Sequence, residues 1–352
     1  MYNKIRLLLL SWYDENKQAM PWRDVNDPYK IWLSEIMLQQ TQVKTVIGYY
    51  NNWIDRFPTI KSVANADQDE ILSYWQGLGY YSRALNFHIS CKMLVNSNYV
   101  IPNNIDDFMK LKGVGPYIAS AVMSIAFNHK VGVVDGNVNR FISRLNAYNI
   151  EPIKNRSNIQ NFVNTIVDKN RPGDFNQAMM DFGRNICKPT SPLCNICPLS
   201  NYCIANQDGL VDYLPVKSKK KIKPHYDVVV GMIWNNDKIL ITKRKENGLL
   251  GGLWEFPGGK IKKNENVYKA IKREIMEELS ITVQTNILLD VIKHQYSHFK
   301  VTISAINCFY IKGDIKLNGP CDYRWIKPKD INKYPFPKSS MKLFHTIGVE
   351  HV

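Results

Sequence analysis

Residues Leu111 to Val122 read LKGVGPYIASAV, and how they are read decides the fold of the first half of the chain. Gly113 and Gly115 bracket Val114 in a tight turn, because glycine permits positive φ and lets another backbone approach closely. Apolar residues then recur at helical spacing, Ile118, Val122 and the pair Ile125-Ala126. A glycine turn feeding a helix N-terminus aims backbone N–H groups outward, where they suit a phosphate. A lone Gly-x-Gly is also an ordinary packing turn, so its meaning depends on what surrounds it.

Around this stretch the first 205 or so residues share the same periodicity, with Pro21, Pro58, Pro102 and Pro152 punctuating predicted helices. One helix is expected over 31–43, containing SEIMLQQTQV. Trp32, Ile36, Met37 and Val43 form its apolar stripe, and Glu35, Gln39 and Gln42 lie on another face. VVDGNVNR, Val133 to Arg140, places Asp135 before a glycine, where a helix N-cap is the simplest reading.

The 352 residues carry a formal charge of +15, with 45% hydrophobic and 22% charged residues. That length allows two domains with full cores. The charge favours a polyanionic partner, although lysine-rich composition alone gives the same sign. No stretch has the length of a signal peptide h-region or a membrane span, so a cytoplasmic protein is expected.

Four of seven cysteines crowd together as Cys187-x6-Cys194-x2-Cys197-x5-Cys203. Without an export signal such crowding points to metal rather than disulfides. Zinc knuckles usually present two close pairs, whereas one compact loop with a single close pair suits a [4Fe-4S] cluster. Zinc is the alternative. Cys91, Cys308 and Cys321 are isolated and read as plain thiols.

The character changes at PVKSKKKIKP, residues 215–224, where five lysines and two bounding prolines mark a basic linker. Beyond it DVVVGMIW and KILITKRK read as strands around an Asn235–Asp237 turn, a helix is expected at about 267–279, and VTISAINCFYI reads as a further strand. This half is α+β. Its helix carries Glu274, Glu277 and Glu278 at i, i+3 and i+4, so three carboxylates are expected to converge as hard ligands for Mg²⁺.

PWR, DPYKIWLSEIMLQQTQV, GLGYYSRA, LKGVGPYIA, VDGNVNR and the cysteine loop occur in one order over residues 1–205. In that order they resemble the adenine DNA glycosylases of the MutY family, which belongs to the helix-hairpin-helix superfamily with endonuclease III. The carboxyl half resembles a Nudix domain. The resemblance implies a multidomain protein: an all-α helix-hairpin-helix glycosylase domain over 1–214 with its cluster loop at 187–203, the linker, and a Nudix-like 8-oxoguanine recognition domain over 225–352. It implies a monomer that binds double-stranded DNA and removes adenine opposite 8-oxoguanine or guanine, after flipping the base out of the duplex.

By motif position the resemblance makes Glu35 the acid that protonates adenine and Asp135 the carboxylate that stabilises the cationic sugar, with Tyr117 and Asn137 in support. Trp22, Arg23, Leu38 and Gln177 would surround the adenine. Gln40 and Tyr80 would wedge into the stack, while Gly113, Val114 and Gly115 grip the backbone. Tyr296, Ser297 and His298 would read the oxidised base. Bifunctional relatives carry a Schiff-base lysine where this chain has Tyr117, so a monofunctional enzyme is implied.

The pattern Gly259-x5-Glu265-x7-Arg273-Glu274 with Glu277 and Glu278 also matches a hydrolytic Nudix box except at Ser280, which replaces a glycine. The box is either an inherited scaffold stabilised by Arg273–Glu pairs or a second active site acting on 8-oxo-dGTP. Three other readings compete: an endonuclease III-like lyase, a Nudix hydrolase with a helical DNA-binding module, and a non-catalytic lesion sensor. Tyr117 weighs against the first; Glu35 and Asp135 in their motifs weigh against the other two.

Overall fold

The computed structural model describes residues 1–217 and 222–349. Residues 218–221 of the expected linker lie outside the described residues. The amino-terminal half is helical: α1 (Tyr2–Asn16), α2 (Pro28–Leu38), α3 (Val43–Arg56), α4 (Ile60–Ala64), α5 (Gln68–Trp75), α6 (Ser82–Met93), α7 (Ile105–Phe108), α8 (Pro116–Ala126), α9 (Gly136–Leu145), α10 (Arg156–Ile166), α11 (Pro172–Asn185) and α12 (Ile204–Gln207). Then come β1 (His225–Asn235), β2 (Lys238–Lys243), β3 (Trp254–Glu255), β4 (Gly258–Lys260), α13 (Val267–Leu279), β5 (Thr282–Gln295), β6 (Lys300–Lys312) and β7 (Asp322–Ile326).

These elements group into two compact units. The first takes residues 1–64 and 89–217; the second takes 65–88 with 222–349. The segment with α5 and Tyr80 thus belongs with the β-rich unit, although it comes early in the chain. Asp69 of α5 binds Lys243 Nζ at 2.6 Å and accepts from the Trp254 indole at 3.2 Å. Tyr81 donates to the Phe336 carbonyl at 3.3 Å.

In the helical unit, local chemistry sets where helices begin. Asp27 caps α2, accepting from Tyr29 N–H at 3.0 Å, and Pro28 follows where a missing N–H costs nothing. Pro116 does the same for α8, after Gly113 has taken the left-handed φ of +76°. Asp135 caps α9 through Val138 N–H at 2.7 Å, as its position before glycine predicts. Helices α1, α9, α10 and α11 share one apolar core that includes Leu9, Phe141, Ile142, Val163 and Phe182.

The helix expected over 31–43 is interrupted. α2 ends at Leu38, Gln40 adopts a left-handed φ of +56°, and α3 starts at Val43. Gln39 and Gln42 therefore flank a break instead of sharing a helix face with Glu35. Four consecutive polar residues, Gln39 to Gln42, offer no apolar contact to carry the helix onward.

In the second unit the sheet runs β3-β2-β1-β6-β5, with β4 pairing β1 and β7 pairing β2. β1 and β6 are parallel, while the hairpin strands β5 and β6 are antiparallel. α13 covers one face through Ala270, Ile271, Ile275 and Leu279. The other face packs Phe256, Phe336 and Phe344. The predicted helix and strands are present, except that β2 stops at Lys243, where Arg244 turns into a closed loop.

Candidate active site

In the helical unit α2, α8, α9 and α11 surround a pocket lined by Trp22, Arg23, Glu35, Leu38, Tyr117, Asp135, Asn137 and Gln177. Every residue expected to act on adenine or surround it is here. Glu35, on α2, is 5% exposed. Burial lifts its pKa to about 7; the Tyr117 hydroxyl, donating to Oε2 at 2.8 Å, pulls the other way, and the nearby Asp135 charge adds to the rise. The Tyr117 hydroxyl is itself pushed well above its usual range by burial and by Glu35.

Asp135 is held differently. Its Oδ1 accepts from Val138 N–H at 2.7 Å and its Oδ2 from Asn137 Nδ2 at 2.8 Å. Burial raises its pKa, and these two donors, which bind the anion, oppose the rise. One pocket therefore holds a carboxyl group that keeps its proton near neutrality and another whose charged form is hydrogen-bonded. Arg23 forms an almost wholly buried ion pair with Asp181 at 2.6 Å, and its Nε has no hydrogen-bond partner among the described residues.

A chain of hydrogen bonds leaves this pocket. Asn137 Oδ1 accepts from Arg140 Nη2 at 2.9 Å; Arg140 also donates to the Gly183 carbonyl at 2.7 Å and the Cys187 carbonyl at 2.8 Å. Arg144, one helical turn on, donates to the Lys188 carbonyl at 2.7 Å, and its Nη1 lies 3.4 Å from Cys187 Sγ. Cys187, Cys194, Cys197 and Cys203 line one cavity together with Arg144. Burial raises the thiol pKa of Cys194 and Cys203 and pushes that of Cys197 to about 12.

Gly115 carries neither strain nor tight packing: its φ is −96°, and an added Cβ would meet nothing within 4 Å. The turn at Gly113, Val114 and Gly115 is thus open on that side. Gln40 and Tyr80, each in its own unit, both hold positive φ, 56° and 50°. Such non-glycine conformations cost energy and concentrate at functional sites.

In the second unit the Tyr80 hydroxyl and Ser297 Oγ are hydrogen-bonded, and Ser297 and His298 are exposed on the β5–β6 turn. Tyr296 borders the same cleft as these residues, stacking on Phe299 and sharing a hydrogen bond with Ser339 at 2.7 Å.

The expected convergence of three glutamates does not occur. Arg273 sits between them, binding Glu274 at 2.7 Å, Glu277 at 3.1 Å and Glu265 at 2.7 Å, while Glu278 is half-buried near Glu255. A guanidinium with a fork of donors takes several carboxylates at once, the Arg273–Glu pairing that the sequence offers as its other reading of the box. Among the described residues no three His, Cys, Asp or Glu side chains stand close enough to hold a single ion.

Asp181, Arg140 and Arg144 escaped the sequence reading. Asp181 was within reach, since it lies four residues after Gln177 on one helix face. The arginines carried no such signal.

Comparison with known proteins follows this division. Residues 33–167 match the HhH-GPD superfamily base excision DNA repair protein model, and residues 229–346 match a NUDIX domain model. The chain is 39% identical over 314 residues to the adenine DNA glycosylase of Arabidopsis thaliana, covering 77% of this chain and 49% of that protein. The chain thus spans about half the length of that relative. It is 31% identical to the adenine DNA glycosylase of Homo sapiens, covering 96% of this chain and 72% of that protein. The solved structure of a thermostable thymine-DNA glycosylase matches 59% of this chain and 97% of its own, at 27% identity and a TM-score of 0.55. By these relatives and its two domain matches, the chain belongs to the adenine DNA glycosylase family, base excision repair enzymes that hydrolyse N-glycosyl bonds.

Proposed function

We propose that this chain removes adenine opposite 8-oxoguanine in duplex DNA, as a monomeric, monofunctional cytoplasmic glycosylase. The observation that carries the reading is the unequal pair of carboxyls in one pocket. Glu35, protonated to about pH 7, gives its proton to N7 of the flipped adenine as the bond from N9 to C1′ breaks. Asp135, fixed by Val138 and Asn137, stabilises the cationic sugar. Water then adds to C1′ and loses a proton to the Glu35 carboxylate. Position 117 supplies a hydroxyl rather than an amine, so the product is an intact strand with an abasic site. The open Gly113–Gly115 turn supports a phosphate contact, and exposed Ser297 and His298 beside Tyr80 support reading of the oxidised base. Single-turnover excision from duplexes with adenine opposite 8-oxoguanine tests this. Strand cleavage without added base, or no adenine released, overturns it.

A [4Fe-4S] cluster belongs in the cysteine cavity on this reading. Zinc needs its thiolates about 2.3 Å from one centre. A cubane gives each thiolate its own iron, which suits four thiols spread around a cavity. Arg144, donating toward Cys187 Sγ, would offset thiolate charge, and the cluster would serve to hold the loop.

A second reading rests on Glu278. Burial, then Glu255 and Glu274, raise its pKa to about 7, so its charge lacks compensation that a cation would give. On this reading Mg²⁺ bound at Glu274 and Glu278, after Arg273 yields Glu274, supports hydrolysis of 8-oxo-dGTP to the monophosphate and pyrophosphate. Full-length protein with Mg²⁺ should release pyrophosphate and Glu278→Gln should not. No release above that variant leaves the box as scaffold.

A further inference from the structure

The cleft that holds Tyr80, Ser297 and His298 has another wall, formed by the loop from Glu246 to Gly251. This loop is closed on itself. Gly252 N–H donates to the Arg244 carbonyl at 3.2 Å, and Arg244 N–H donates to the Leu253 carbonyl at 2.9 Å. The Arg244 guanidinium, tied to Glu255 at 2.5 Å, donates through Nε to the Leu249 carbonyl at 3.0 Å. A Cβ on Gly251 would lie 2.0 Å from the Glu246 carbonyl oxygen, and Gly252 holds the left-handed φ of +76° that favours glycine. Yet Leu249, at the tip, is 53% exposed.

A single exposed leucine is ordinary on a protein surface. This one differs because its carbonyl is fixed by the ion-paired Arg244 and it borders the cleft that holds Ser297 and His298. Tyr80, Tyr296 and Phe299 line the cleft, with Lys338 and Glu246 as its charged side chains. Aromatic side chains around an apolar tip fit a nucleotide: rings and tip suit the flat face of a base or the carbons of its sugar, and Lys338 suits its phosphate.

We propose that Leu249 is a specificity-determining residue that packs against the oxidised purine nucleotide opposite the target adenine. The proposal rests on the reading of Ser297 and His298 as contacts to that base. Leu249 supplies no hydrogen bond. It presses the nucleotide into the position from which Ser297 and His298 reach its edge, and recognition by hydrogen bonds is lost when the base is free to shift.

The test compares single-turnover adenine excision by the full-length protein on duplexes with adenine opposite 8-oxoguanine and opposite guanine. Leu249→Ala should lower the ratio of the two rates about tenfold by slowing the reaction opposite 8-oxoguanine more than that opposite guanine, leave the thermal midpoint unchanged, and be rescued by Leu249→Met. An unchanged ratio in Leu249→Ala, with a collapsed ratio in Ser297→Ala/His298→Ala, overturns the role of Leu249 and leaves the parent reading standing. An unchanged ratio in both variants overturns both. Equal loss on the two duplexes makes Leu249 a general DNA contact and also overturns the proposal.

Discussion

Arg140 Nη2 stands 2.9 Å from Asn137 Oδ1, and through this contact the carboxylate of Asp135 is joined to the backbone of Cys187. Asn137 has one side-chain donor and one acceptor face, so it can pass orientation from the arginine to the aspartate. Arg140→Lys keeps the charge but loses the planar fork. Adenine release should slow by about ten- to a hundredfold, the cost of a small misplacement, while lesion-duplex affinity changes little. Wild-type single-turnover rates in that variant would show that Asp135 holds its place unaided.

Glu35→Gln and Asp135→Asn should each reduce adenine release by on the order of a thousandfold or more, because both act on charge that develops in the transition state. Binding of the lesion duplex should persist. Near wild-type release from either variant would remove that residue from the mechanism.

Stability should report Glu35 independently. Folding raises its pKa from 4.5 to about 7, so the folded state binds the proton more tightly. Its stabilising contribution is complete below about pH 4.5 and is lost as pH rises through 7, by an amount of about 3 kcal/mol at most. Glu35→Gln should therefore be more stable than the parent at pH 8 and lose that advantage toward pH 5. Parallel unfolding curves across this range would mean that Glu35 is not desolvated.

Tyr117→Phe gives the complementary test. The tyrosine hydroxyl favours the charged form of Glu35, so removing it raises the Glu35 pKa. The alkaline limb of the pH–rate profile, set by loss of the Glu35 proton, should move to higher pH. A limb that stays in place or moves down would break the assignment of the acid.

Gly183 should prove sensitive although it touches no substrate. A Cβ there would lie 2.8 Å from both Cβ and the carbonyl oxygen of Asn137, where α9 and α11 approach. Gly183→Ala should cost roughly 1–3 kcal/mol in urea unfolding, and slow excision by shifting Asn137. Unchanged stability would show that the two helices separate freely.

Iron content tests the cavity. Purified protein should hold about four irons per chain with visible absorbance, and Cys197→Ala should lose both. One zinc and no iron in anaerobically prepared protein would reverse the assignment.

The sequence by itself determined what depends on neighbours along the chain. Asp135 before glycine is a cap because its side chain reaches a backbone N–H three residues away. The helix at Val267–Leu279 follows from apolar spacing, and the order of motifs singles out Glu35, Tyr117 and Asp135, which line one pocket. Only the tertiary structure decided where long-range partners settle. It gave Arg273 the glutamates Glu265, Glu274 and Glu277, which spacing alone leaves between an arginine and a cation, and set Arg140 between Asn137 and Cys187. It also joined Tyr80 to Ser297, 217 residues away, in one unit. The reason is physical. Local periodicity says which face of an element is buried, but which polar groups meet is fixed by packing between elements distant in sequence. Arginine's length and its several donors leave many such meetings open until the fold selects one.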